Sequence, residues 1–404
     1  MKRQIAAVVA SLSLVCLSTA ALAAEPIKML NLDIFSGPFK PLGERGRMGI
    51  QLAVQEINAK GGIDGRKIEI VEEDHEFKPE TAQRKATKHI LDGSVSVILV
   101  ANSTPVIKSL LPLASRHKII IAVYAGDADE LTGSDFSPYL FRLSAPVSQR
   151  IKTTLAAMKD VKFKKVYLIN QDYAYGHSAA EGYKKYLDRM RPGWELVGND
   201  FAPIANKDFA PYIQKIIASG AEVVLTANFG PDLATFMKQA KQFGLKIPVG
   251  NINLSDPTVL KEVDTAAIGD ITSDTYMVGI ENPKNTAFIE RWKAKYNKTE
   301  YPIPDYSSGK AYNMFQFLAA AIGEAKSTKA EDIIKTWEGM KFDGIIGSET
   351  MRVCDHQVQA PVAYATIVAG PTKYYSFASP AEVRQLSAEE SAVAPADTGN
   401  PRCK

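Results

Sequence analysis

What most constrains this chain is that its hydrophobic period keeps switching between two residues and 3.6. Lys28-Met29-Leu30-Asn31-Leu32-Asp33-Ile34 reads as a strand. After a Ser36-Gly37-Pro38 turn, Ile50, Ala53, Val54 and Ile57 recur at i, i+3, i+4 and i+7, one face of a helix. Gly61-Gly62 stops that helix as a left-handed cap would. Ile68-Glu69-Ile70-Val71 is the next strand, and Pro79-Glu80 opens the next helix with Pro in its favoured first turn. Val95 to Val100 and Ile119 to Val123 are short buried strands around a helix starting near Pro105, with Thr104 as its expected cap. The series repeats with Val166-Tyr167-Leu168-Ile169, a helix from Gly176, Leu196-Val197, a helix over Phe209 to Ala218, and Val223-Val224-Leu225. Strands alternating with helices in this way demand right-handed crossovers and parallel sheets covered on both faces. The break between Leu143 and Gln149 predicts an α/β chain of two doubly wound lobes. Tyr312 to Ile322 is apolar almost all round and should be a buried helix. Phe342 to Arg352 and Ala363 to Val368 read as antiparallel strands, and a low-complexity tail begins near Pro380.

Composition removes several function classes. With 404 residues and 46% apolar side chains, the chain has material for two or three cores. A net charge of +3 from 48 basic and 45 acidic residues gives no electrostatic case for nucleic acid. Lys2 and Arg3 precede an uncharged run from Ile5 to Leu22 that ends in Ala21-Leu22-Ala23, a secretory leader over residues 1–23. The competing reading is an N-terminal membrane anchor. Cys16 lacks the small residues a lipid-attachment site needs before it. Export to an oxidising compartment leaves Cys354 and Cys403 to pair, with two free thiols as the alternative. The sequence carries no Gly-x-Ser-x-Gly elbow, no His-Glu-x-x-His and no Walker loop. Ser308-Gly309-Lys310 lacks the upstream glycine and the hydroxyl of a phosphate loop. No enzyme, cofactor or metal site is expected. His75, His89, His117 and His356 are read as solvated, whereas His177 follows a Tyr-Gly turn and is a candidate for a cleft wall.

Polar and aromatic residues gather just beyond strand C-termini, where doubly wound folds bind ligands. Asn102-Ser103-Thr104 would offer hydroxyls and the free amides of a helix start, a site for a carboxylate that needs no formal charge. Tyr124-Ala125-Gly126-Asp127, Asn170 to Gly176, Asn228-Phe229-Gly230 and Asn251-Ile252-Asn253 occupy equivalent positions. Each alone is an ordinary turn, but five on two lobes point to a ligand between them.

Ser36-Gly37-Pro38, Gly49-Ile50-Gln51-Leu52-Ala53, Glu56 through Ile63, Gly65-Arg66-Lys67-Ile68 and Glu73-Asp74 together resemble the extracytoplasmic solute-binding proteins of branched-chain amino acid (Leu/Ile/Val) ABC importers, the periplasmic binding protein type I family. Tyr175-Gly176, Gln239 to Leu245 and Asp355-His356-Gln357 extend the likeness. The resemblance implies two lobes joined by three crossover strands that close on a small ligand and dock on a membrane permease. It implies an exported, soluble, periplasmic monomer that captures a small carboxylate; a ligand-sensing module acting through a receptor is the alternative, and a hydrolase using the cleft a more distant one. The expected division is residues 24–144 plus 280–340 for the first lobe, 145–279 plus 341–378 for the second, and 379–404 as tail. In such proteins the loop matching Asn102, Ser103 and Thr104 holds the carboxylate, and that at Tyr124, Ala125 and Asp127 adds polar contacts. Tyr175 matches a tyrosine that reaches the ligand on closure, and Phe229 an aromatic wall. Phe39 and Tyr173 add to the expected aromatic lining. Amino-acid binders also carry an acidic residue where this chain has Asn251 and Asn253. A buried ammonium without a carboxylate is costly, so an α-amino acid requires Asp127 or Asp172 to supply the charge.

Overall fold

The computed structural model describes residues 25–403; the expected leader and Cys16 lie outside the described residues. The first half of the chain runs β1 (Ile27–Asp33), α1 (Lys40–Ala59), β2 (Ile68–Asp74), α2 (Pro79–Leu91), β3 (Val97–Ala101), α3 (Thr104–His117), β4 (Ile120–Ala125) and β5 (Leu140–Arg142). Its strands form a parallel sheet in the order β2-β1-β3-β4-β5. Every residue of β3 and β4 is buried, as expected of Val/Ile/Leu runs covered on both faces.

The chain then enters a second sheet through α4 (Val147–Ala157), β6 (Lys165–Gln171), α5 (Ala174–Met190), β7 (Glu195–Ala202), α6 (Ala210–Ala218), β8 (Val223–Thr226), α7 (Gly230–Gln242), β9 (Val249–Asn251), α8 (Pro257–Val263) and β10 (Ile271–Asp274). These strands lie parallel in the order β7-β6-β8-β9-β10. Next, α9 (Pro283–Tyr296), α10 (Tyr306–Ala325) and α11 (Ala330–Trp337) return to the first sheet. Helices α1 and α10 pack so closely that a Cβ on Gly49 would sit 2.3 Å from the Ser308 carbonyl oxygen. As expected, α10 is buried almost throughout, from Tyr306 to Ile322.

Three short antiparallel strands follow, β11 (Lys341–Gly344), β12 (Gly347–Met351) and β13 (Val358–Gln359). Ile345, Ile346, Met351 and Val358 share a core with Phe315, Phe317 and Trp337 of α10 and α11. The stretch from Lys341 to Gln359, assigned to the second lobe from the sequence, therefore packs with the first. β14 (Val362–Val368) then pairs antiparallel with β10, and β15 (Ser379–Leu386) pairs antiparallel with β14 at the edge of the second sheet. Residues after Pro380, expected to be tail, supply this edge strand.

Two local expectations change, and the expected disulfide is present. Ser103, not Thr104, occupies the N-cap position of α3, with no capping bond from its side chain, and Thr104 is the first helical residue. His75, His89 and His356 are buried rather than solvated. His75 Nε2 lies 3.2 Å from the Ala101 carbonyl, and His356 stacks on Phe141 at 4.1 Å. Cys354 and Cys403 are disulfide-bonded across a separation of 49 residues. Close by, Asn400 Nδ2 donates to the Thr132 carbonyl at 3.0 Å, Arg402 pairs with Glu338, and Asp397 pairs with Arg189 and Lys185 of α5. The final residues thus touch both halves of the molecule.

Candidate functional site

Loops leaving the C-terminal ends of the parallel strands of both sheets meet around one cavity. Between them lies a narrow cavity of about 50 Å³. The first sheet contributes Asn102, Ser103 and Thr104 after β3, and Ala125, Gly126 and Asp127 after β4. The second contributes Tyr173 and Tyr175 after β6, Phe229 after β8 and Asn253 after β9. Nine of the twelve ligand-binding candidates read from the sequence are thereby brought together.

The other three do not line the cavity. Tyr124 is fully buried, with its hydroxyl on the Asp33 carboxylate and its ring against Gly46. Asn251 lies one layer down, donating from Nδ2 to the Asn228 carbonyl at 3.1 Å and accepting from the Asn253 amide. Phe39 seals the outer edge, its centroid 5.4 Å from Phe77 and 5.3 Å from Phe229. Asp172 is exposed and pairs with His177 at 2.9 Å. His177 faces a separate hollow of about 520 Å³ that Asp129 and Asp397 also line.

On the first-sheet side, Asn102 adopts a left-handed φ of 64°. Its amide donates to Ala125 O at 2.6 Å and its Nδ2 to Asp33 Oδ1 at 2.8 Å, so its side chain is already engaged. That kink aims the start of α3 at the cavity, and a helix start carries about half a positive charge. Ser103 is 2% exposed, and its Oγ is buried without a hydrogen-bond partner. Asp127 is 8% exposed; its Oδ2 is held by Arg150, while Oδ1 is buried with no partner. A free hydroxyl and a free carboxylate oxygen therefore belong to the wall of one cavity, and an unmade buried bond costs about 1–3 kcal/mol.

Charge underlies this wall, although the sequence reading expected uncharged donors only. Arg150 of α4 reaches Asp274 Oδ2 at 3.1 Å, Asn253 Oδ1 at 3.0 Å and the Ser273 carbonyl at 3.1 Å. Lys310 of α10 reaches Asp274 Oδ1 at 3.3 Å. Two carboxylates thus meet two cations. Burial alone would push the Asp127 carboxyl up, but Lys310 and Arg150 outweigh it and hold the group below its ordinary range. Burial raises the Tyr173 and Tyr175 phenols, so both stay neutral. Asn253 Nδ2 donates to the Tyr175 hydroxyl at 3.0 Å, orienting it.

Sequence reasoning missed Leu42, Tyr306 and Lys310 in the lining, and Arg150 and Asp274 beneath it. Tyr306 and Lys310 lie one turn apart on α10, just before its apolar run. A lysine leading into a buried helix was the available signal for that element. Nothing local marks Arg150 or Asp274.

The model of the family described as "Periplasmic binding protein" matches residues 26–371. The Leu/Ile/Val-binding protein homolog 4 of Brucella melitensis is 28% identical over 368 residues, 88% of this chain and 87% of that protein. The solved leucine-, isoleucine-, valine-, threonine- and alanine-binding protein of Brucella ovis, in its closed conformation, is 26% identical with a TM-score of 0.82, covering 92% of this chain and 97% of that one. A solute-binding protein of an R. palustris ABC transporter, in complex with 4-hydroxybenzoate, shares the fold at 22% identity and a TM-score of 0.80, covering 90% of this chain and 98% of that one.

Proposed function

This chain belongs to the periplasmic binding protein family, and from that premise we propose that it is exported, captures a small carboxylate between its two sheets and delivers it to an ABC importer. The family is one of solute-binding proteins, not enzymes. Among the described residues no helix is long and apolar enough to cross a membrane. One observation carries the choice of ligand: the unpartnered Ser103 Oγ and Asp127 Oδ1 in the wall of a single aromatic-walled cavity.

Ser103 and the first amides of α3 would take the ligand carboxylate. Asp127 would accept from a donor elsewhere on the ligand, supplying the negative charge that the neutral Asn251 and Asn253 do not. Lys310 and Arg150 keep Asp127 ionised for that purpose. Leu42, Tyr173, Tyr175 and Phe229 would cover the apolar part, at about 25 cal/mol per Å² buried. Two solute types meet these demands: an aliphatic α-amino acid, as in the names of the Brucella relatives, and a hydroxylated aryl carboxylate, as in the R. palustris complex.

Isothermal titration of the purified protein with aliphatic amino acids and with benzoates tests this. Saturable binding of a member of either series is expected; its absence from both would overturn the carboxylate reading. Mass spectrometry of whatever small molecule copurifies identifies the solute directly.

A further inference from the structure

Arg45 lies on α1, against the first sheet, yet it is 0% exposed. Its guanidinium makes a two-pronged bond to Asp256, Nη1 to Oδ1 at 2.8 Å and Nη2 to Oδ2 at 3.0 Å. Asp256 caps α8, which follows β9 of the second sheet. The same Nη1 is 2.8 Å from Oδ2 of Asp305, the residue that caps α10. Tyr306 donates from its hydroxyl to Asp256 Oδ2 at 3.1 Å. Arg45, Asp256 and Asp305 have no place in the charge cluster beneath the cavity, whereas the Tyr306 ring lines the cavity and lies 4.9 Å from Lys310 Nζ.

The arrangement is asymmetric in a way that matters. Arg45 and Asp305 cannot separate, because α1 and α10 pack without a gap and the Ser307 hydroxyl is bonded to the Leu42 carbonyl at 2.8 Å. Asp256 travels with the second sheet. Were the sheets to part, Arg45 would exchange Asp256 for water and keep Asp305, so the cation would retain one counter-charge in either arrangement. A buried arginine stripped of all its partners would be strongly penalised; one that changes from two carboxylates to one is suited to repeated making and breaking.

We propose that Arg45 and Asp256 form a latch across the cleft, and that they set how tightly and how long the solute is held without touching it. A contact made only in the closed arrangement shifts the open–closed balance by its own free energy, and apparent affinity follows the closed population. This goes beyond the capture reading and rests on it only for the affinity readout.

Asp256→Asn is the discriminating variant, because asparagine still caps α8 and Asp305 still pairs with Arg45. Distances between fluorophores placed on the two halves, and small-angle scattering, report the opening of the unliganded protein. Leucine and 4-hydroxybenzoate serve as solute probes. The expected result is a wider separation in the unliganded variant and roughly tenfold weaker binding of whichever probe the parent binds, carried by faster dissociation. Arg45→Met should also widen the separation, but with a lowered melting temperature, because it leaves the buried Asp305 without its counter-charge. Unchanged separation and dissociation, with only a lowered melting temperature, would make the pair a static brace and overturn the latch. If no member of either solute series binds the parent protein, the ligand reading fails while the separation measurement still decides the latch.

Discussion

In the proposed reading, Asp127 and Ser103 are the side chains that decide what the cleft accepts. If Asp127 takes a donor from the solute, Asp127→Asn should weaken a donor-bearing probe such as leucine or 4-hydroxybenzoate at least tenfold, and benzoate much less. Calorimetry on the three probes checks this, and an equal loss on all of them would mean that Asp127 acts only by holding Arg150. Tyr175 calls for a milder change than truncation: it is 6% exposed and accepts from Asn253, so Tyr175→Ala opens a void and lowers stability as well as affinity. Tyr175→Phe isolates the hydroxyl. Glu349 is buried away from the cleft beside Asn313, and burial pushes its carboxyl up to about 8. The folded chain then holds a proton that the unfolded chain has already lost, so stability falls as pH rises from about 4.5 to about 8 and levels off above. Glu349→Gln should flatten that part of a melting-temperature profile and raise the value near pH 8. At this scale the sequence is legible for turns after strands, because their position is set by the strand itself. It is not legible for Tyr124, whose ring turns to the core, nor for Lys310, Arg150 and Asp274, which meet only after three distant segments are brought together.

Helices and strands were readable where period and punctuation agreed. Ile50 and Ala53 of α1 are buried, and Val54 and Ile57 pack at the edge of the same core. Gly61 and Gly62, at φ of 107° and 88°, end that helix. The two glycines differ in their surroundings: a Cβ on Gly62 would lie 1.9 Å from the Arg66 carbonyl oxygen, whereas Gly61 faces open space. Gly62→Ala should therefore cost well over the ~1 kcal/mol of a strained backbone alone, and Gly61→Ala close to that figure, as measured by urea unfolding. β15 was missed because Ser379–Leu386 is an edge strand with a mixed face, and its sequence carries little of the apolar alternation that marks a strand. The small sheet was assigned to the wrong lobe for a related reason: short strands say nothing about which core they cover, and here Trp337 and the α10 phenylalanines decide it.

For the molecule as a whole, the two-sheet plan follows from alternation, but the cross-connections do not. The disulfide between Cys354 and Cys403 closes a loop of 49 positions, and removing it with Cys403→Ser should lower stability by about 2–4 kcal/mol, read from a denaturant midpoint. Along that loop the chain passes from β14 and β15 of the second sheet to Thr132 and Glu338 beside the first. While the thiols are reduced, nothing covalent fixes the last residues, and the two halves are joined only by the connections between their sheets. Oxidation adds one more tether between them. Without that bond the edge strand β15 would stay on the second sheet, but the chain beyond it would have no covalent return to Cys354.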